Sequence, residues 1–120
     1  MYLLAITVQR LHFTEEYLTG FQRQFPRLLG YEWSDAQFVA FNMAWLAVFV
    51  AAALGVYRRV SLAYLVVLFL AVAGGVANGI GHLLVSATPG KYFPGLVTAP
   101  ACLLAGAGLL TRLFGTDKRS

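Results

Sequence analysis

The sequence predicts an all-α membrane protein: a four-helix antiparallel transmembrane bundle forming a single membrane domain over residues 1–120. Three observations carry that prediction. The composition is 59% hydrophobic and only 12% charged, against roughly 25% charged in an ordinary soluble domain. The mean hydropathy is +0.70. The apolar residues fall into long runs separated by short stretches of Pro, Gly and charge, and at ~1.5 Å per residue a run of about 20 residues crosses a hydrocarbon core. The net charge of +4 comes mostly from Arg and Lys flanking those runs. No soluble face with clustered basic and aromatic residues is present, so no nucleic-acid partner is expected. The one cysteine, Cys102, lies in an apolar run; it has no intrachain disulfide partner and reads as a small buried hydrophobe.

The first helix is predicted over about residues 2–24. Leu3, Leu4, Ala5, Ile6 and Val8 open it. No basic segment precedes them and no small-residue cleavage site follows, so the stretch reads as part of the fold and not as a signal peptide. Gln9, Arg10, His12, Glu15 and Glu16 interrupt it. Such a segment fits inside a bundle that hides its polar face; the competing reading is an amphipathic helix lying at the membrane surface. Pro26 and Gly30 predict its end.

Ser34-Asp35-Ala36-Gln37 reads as a capping box opening a helix over about 36–57, interrupted by Asn42 and closed by Arg58-Arg59. Ser61 is expected to cap a third helix, over about 62–86, that carries Asn78 and His82. Its Gly75 and Gly79 make a GxxxG spacing that lets another backbone approach closely, the expected route to a homo-oligomer. A loop with Pro89-Gly90, Lys91, Tyr92 and Pro94-Gly95 leads to the last helix, over about 96–114, which has the small-residue patch Ala105-Gly106-Ala107-Gly108.

Four antiparallel helices place Arg58, Arg59, Arg112, Lys118 and Arg119 on the side of the termini, and Arg23, Arg27 and Lys91 on the other. The positive-inside rule then puts both termini in the cytoplasm. The same arrangement fixes depth. His12, Glu15 and Glu16 fall at or beyond the middle of the first helix, and Asn42 in the early turns of the second. Asn78 and His82 fall late in the third, and Thr98 opens the fourth. Nearly every intramembrane polar residue thus shares one half of the bilayer, which predicts a single polar pocket there, with Asn42, Asn78, Pro94, Gly95 and Thr98 among its walls.

His12, Glu15 and Glu16 stand at i, i+3 and i+4 on one helical face. With His82 they supply two imidazoles and two carboxylates, a donor set suited to Zn²⁺, Fe²⁺ or Mn²⁺. The set is too sparse for a symmetric di-iron centre built on Glu-x-x-His pairs, and one divalent metal with an open position is the better fit. Metal-free acid–base chemistry uses the same residues, because paired carboxylates repel and one retains its proton.

His12-x-x-Glu15-Glu16, the later His82 and Tyr92-x-Pro94-Gly95 together resemble the HXXEE-domain family of small, mostly bacterial membrane proteins, over essentially the whole chain. The resemblance implies that the Tyr92-Pro94-Gly95 loop belongs with the histidines, and that the protein resides in a bacterial inner membrane. It supplies no reaction.

Three functions follow as expectations. The first is a metal-dependent enzyme, a hydrolase or oxidoreductase, acting on a lipid-like or small apolar substrate. There His12, Glu15, Glu16 and His82 hold the metal, and Glu15, Glu16 and Tyr92 serve the chemistry. The second is a metal-free isomerase-like enzyme moving a proton with Glu15 or Glu16. The third is a non-enzymatic lipid-binding, transporter or partner subunit.

Overall fold

The structure, a computed structural model, describes residues 1–88 and 90–115. Its regular structure is all helical, with no strand among the described residues. The described residues form five helices: α1 (Tyr2–Thr19), α2 (Phe21–Leu28), α3 (Asp35–Tyr57), α4 (Ser61–Ala87) and α5 (Ala99–Phe114). Two of them, α3 and α4, are long and apolar enough to cross a membrane. Of the residues in their most apolar stretches, only 17% and 33% are buried within the chain.

The first break in the chain falls earlier than predicted. It lies at Gly20, not at Pro26: Gly20 adopts φ 87°, and its N–H caps α1 by donating to Glu16 O. Only glycine reaches that left-handed conformation without strain. The chain then re-enters a short helix, α2, which contains Pro26 in its later turns. After the turn at Gly20, α2 buries Gln22 and Pro26 and stacks Phe21 on Phe25. Gln22 and Arg23 both reach Asp35 at 3.0 Å, tying α2 to the start of α3.

The capping box is formed as predicted. Ser34 Oγ accepts from the Gln37 N–H at 3.1 Å and Gln37 Oε1 accepts from the Ser34 N–H at 3.0 Å, satisfying two of the donors a helix start leaves open. Ser61 does not cap its helix; Val60 holds the N-cap position and Ser61 is the first helical residue. The last helix starts at Ala99 and not at Leu96, with Thr98 as its N-cap residue and Pro100 in its first turn, where a missing N–H is harmless.

Inside α4, residues Leu70–Ala77 form a π-helix between α-helical segments Ser61–Phe69 and Asn78–Ala87. This wide turn sits where α4 meets α5 most closely. A Cβ built on Gly75 would lie 2.6 Å from Gly106 Cα, and one on Gly106 would lie 2.6 Å from Ala71 O. A Cβ on Gly79 would lie 2.8 Å from Ala99 O. The Gly75/Gly79 stripe is therefore occupied by the chain's own last helix. Small residues permit this backbone approach, and van der Waals contact rewards it.

The apolar core gathers at the end of the bundle holding the N-terminus: Ala5 and Ile6 of α1, Phe49 of α3, Val67, Leu70 and Ala71 of α4, Ala105 and Leu109 of α5. Tyr2 anchors this end by donating its O–H to Phe49 O at 2.7 Å. The opposite end carries the polar residues. Pro89, Lys118 and Arg119 lie outside the described residues, so the two-residue excess of basic groups on the side of the termini rests on the sequence alone.

Candidate metal centre

Three side chains from two helices converge in the polar half. His12 and Glu16 are one turn apart on α1, so they point the same way, and His82 faces them from the second α-helical part of α4. All three are buried, His12 completely. His12 Nε2 lies 3.2 Å from His82 Nε2, His82 Nε2 lies 3.1 Å from Glu16 Oε1, and Glu16 Oε1 lies 3.3 Å from His12 Nε2. The three donor atoms form a nearly equilateral triangle. A tetrahedral ion with ligands at about 2.0–2.1 Å has ligand–ligand edges of about 3.3 Å. The triangle matches one face of that tetrahedron.

Glu15, expected as a fourth ligand, is not part of the group. One residue along a helix is a rotation of about 100°, and that turns its carboxylate to the loop before α5. Its Oε1 accepts from the Tyr92 O–H at 2.6 Å and the Val97 N–H at 3.0 Å. Its Oε2 accepts from the Thr98 N–H at 2.8 Å and the Thr98 O–H at 2.5 Å. Tyr92, expected as a donor to substrate, gives its hydroxyl to Glu15 instead. Partial burial first, and then the carboxylate beside it, raise the Tyr92 phenol above its ordinary value.

Glu15 nevertheless reaches the triangle through Thr98, whose Oγ1 lies 2.7 Å from His12 Nδ1. The threonine hydroxyl has one hydrogen, and the acceptor-only carboxylate of Glu15 takes it. Its oxygen is then left to accept from His12 Nδ1–H, an assignment that follows from the network. In the neutral ring this fixes the tautomer and leaves the Nε2 lone pair facing Glu16 and His82, the arrangement in which an outer carboxylate orients a metal-binding histidine.

The Tyr92-x-Pro94-Gly95 loop forms a wall over both imidazoles. Pro94 is fully buried. Gly95 has φ 92°, and a Cβ there would lie 2.6 Å from His82 Cε1 and 2.8 Å from His12 Cε1. Both backbone conformation and space demand glycine. Phe21 and Phe93 pack on His82 at 5.4 and 5.9 Å between ring centroids. With Phe25 and Val85 they line an apolar cavity of about 240 Å³ that reaches His82. His82 Nδ1 and Ser86 Oγ, one turn apart and both buried, have no hydrogen-bond partner among the described residues.

The predicted site residues therefore divide. His12, Glu16 and His82 form the cluster; Glu15, Tyr92 and Thr98 form the network behind it; Pro94 and Gly95 cover it. Asn42 stands apart: its amide donates to Phe38 O in its own helix, and its backbone oxygen accepts from Arg10 Nη1–H at 3.2 Å. Asn78 borders the His82 cavity without touching the cluster, and also lines a second cavity with Asn42 and Arg10. Two contributors escaped the sequence reading. Phe21 depended on an unrecognised turn at Gly20, whereas Arg10 carried its own signal, a permanent charge midway along a predicted span.

A family model described as "Protein of unknown function with HXXEE motif" matches residues 3–109. No curated protein and no solved structure matches the chain.

Proposed function

This chain belongs to the family of proteins of unknown function with the HXXEE motif, and from that premise we propose that it is an integral membrane protein holding one divalent metal ion on His12, Glu16 and His82. The carrying observation is the triangle of donor atoms with sides of 3.1–3.3 Å. With the His12 proton on Nδ1, His12 Nε2 and Glu16 Oε1 face each other as acceptors across it, both within reach of His82 Nε2, and a cation on the triangle would satisfy all three. Two imidazoles and one carboxylate are the donor set of open-site Zn²⁺ enzymes and also suit Fe²⁺ or Mn²⁺. A fourth position is left for substrate or water, where such an ion supplies Lewis-acid chemistry. The cavity beside His82, walled by Phe21, Phe25, Phe93 and Val85, favours a lipid-like or small apolar substrate.

Membrane placement is supported by the exposure of the two long apolar helices. A core helix of a soluble protein hides most of its surface, whereas α3 leaves Phe41, Met43, Val48, Val50 and Leu54 exposed. In this reading α1, α3, α4 and α5 are the four spans of an antiparallel bundle in a bacterial inner membrane, with both termini in the cytoplasm.

Elemental analysis of the purified protein tests the metal. One ion per chain is expected, with occupancy lost in His82→Ala. Absence of a stoichiometric ion after reconstitution with Zn²⁺ and with Fe²⁺ overturns it. The metal-free reading uses the same short contacts to hold a proton among Glu16 and the two imidazoles. It predicts full function in chelator-treated protein.

A further inference from the structure

Arg10, Asn42 and Asn78 share a second cavity, distinct from the His12, Glu16 and His82 cluster. It lies among α1, α3 and α4, has a volume of about 260 Å³, and reaches α4 at Ala73 and Gly74 of the π-helical segment. Its walls are aromatic: Phe41, Trp45, Phe49 and Phe69, with Trp45 stacked on Phe69 at 4.8 Å and on Phe49 at 5.5 Å. Its polar lining comes from Gln9, Arg10, Asn42 and Asn78.

Arg10 decides what the cavity takes. It sits midway along α1 and is only half-exposed. Its guanidinium carries five donors, of which one is given to Asn42 O at 3.2 Å while the cation rests 5.4 Å from the centre of the Phe13 ring. Among the described residues no carboxylate lies in ion-pair contact with it; the Glu16 carboxylate acts on it at longer range and is already engaged by the two imidazoles. A guanidinium at this depth of a membrane bundle is costly without a counter-charge and marks a functional site. Its planar fork matches a carboxylate bidentately. The local π-helix is the kind of irregularity that recurs at functional sites.

We propose that this cavity binds a fatty-acid-like amphiphile, with the carboxylate on Arg10 and the chain against Phe41, Trp45 and Phe69. The inference rests on the membrane placement proposed above and is independent of the metal. Gln9 and Asn78 amides border the head group, and the aromatic walls accept a chain of variable length because their contact is with apolar surface alone.

Trp45 reports on the site directly. The chain has two tryptophans, so Trp33→Phe leaves Trp45 as the sole emitter. Purified Trp33→Phe protein in phosphatidylcholine vesicles is titrated with mid-chain brominated stearate, with its methyl ester, and with brominated phosphatidylglycerol. Saturable quenching by the acid is expected, with an apparent affinity weaker by about tenfold or more for the ester and for Arg10→Gln, and partly restored in Arg10→Lys. Equal quenching by acid and ester overturns the proposal, as does an unchanged response in Arg10→Gln. Equal quenching by phosphatidylglycerol also overturns it, since the site would then be an ordinary contact with anionic lipid. The acid–ester comparison needs no change at Arg10 and so stands even if Arg10→Gln misfolds. Metal content measured on the same samples separates the two readings: acid binding without metal sinks the metal centre alone, and metal without acid binding sinks this site alone.

Discussion

Glu15 and Glu16 are adjacent in sequence and chemically identical, yet the fold gives them opposite surroundings. Glu15 meets four hydrogen-bond donors from the loop before α5 and has no imidazole within reach. Glu16 meets two imidazoles at 3.1 and 3.3 Å. The first carboxylate is satisfied by the protein, which makes it a clasp between α1 and α5. The second meets only the two imidazole nitrogens, the donor set that could hold a metal ion with it. A motif that offers two acids to one site and a motif that divides them between a structural clasp and a candidate metal site are the same five letters. Helical geometry separates them, because neighbours on a helix point about 100° apart.

Exchanging each acid for its amide is the strongest way to break that contrast. Glu16→Gln is expected to abolish metal retention, beyond the roughly 10–100-fold that outer-shell changes produce, while leaving the thermal midpoint of the metal-free protein little changed. Glu15→Gln turns an NH₂ toward groups that are themselves donors, and each lost bond to a charged acceptor is worth about 1.5–3 kcal/mol. It is therefore expected to lower the thermal midpoint of the metal-free protein and weaken metal binding about 10–100-fold. Isothermal titration with Zn²⁺ and thermal unfolding of both variants make the comparison. Matching losses in both assays would erase the distinction.

Gly95→Ala acts on the wall that both acids depend on. A left-handed non-glycine residue costs about 1–3 kcal/mol, and its Cβ would meet His82 and His12 within 2.6–2.8 Å. Reduced thermal stability together with loss of metal is expected. An unaffected metal affinity would mean that the loop does not press on the imidazoles.

Thr98→Val tests the one link between the two acids. It keeps the shape and removes the hydroxyl between Glu15 and His12 Nδ1. Metal affinity should fall about 10-fold or more, with a stability loss of about 1.5–3 kcal/mol for the lost bond to the charged Glu15. The smallest effect is expected for Tyr92→Phe. Tyr92 is half-exposed, so solvent screening discounts its bond to the charged Glu15 from that range to about 0.5–1.5 kcal/mol. Its folded-state pKa is raised above the ordinary phenol value. The stabilisation is thus fully present below ~10 and fades as pH climbs through the folded value. The difference in thermal midpoint between wild type and Tyr92→Phe should be constant through neutral pH and shrink in strong alkali.

Much of the molecule was legible without coordinates. Capping at Ser34 and Gln37, burial of Cys102 and the two long apolar helices follow from local pattern, whereas the company of Tyr92-Pro94-Gly95 with the histidines came from the family resemblance. The break at Gly20 was missed because Pro26 looked the stronger signal, yet a proline in so short a helix breaks little of its hydrogen bonding. Gly75 and Gly79 advertised a close helix contact, and spacing alone does not say whether that helix belongs to the same chain.

The sequence by itself determined that His12 and Glu16 share a face, since i, i+4 spacing does so on any α-helix. It also marked out α3 and α4, two of its four predicted spans, as long and apolar enough to cross a membrane. Only the tertiary structure decided that His82 completes the triangle, that Glu15 leaves it for Thr98, and that Asn42 and Asn78 lie with Arg10 in another cavity. Periodicity sets relative angles within one helix. How helices rotate against each other, and how the π-helix in α4 shifts the register of His82, depends on contacts between distant segments such as Gly75 with Gly106.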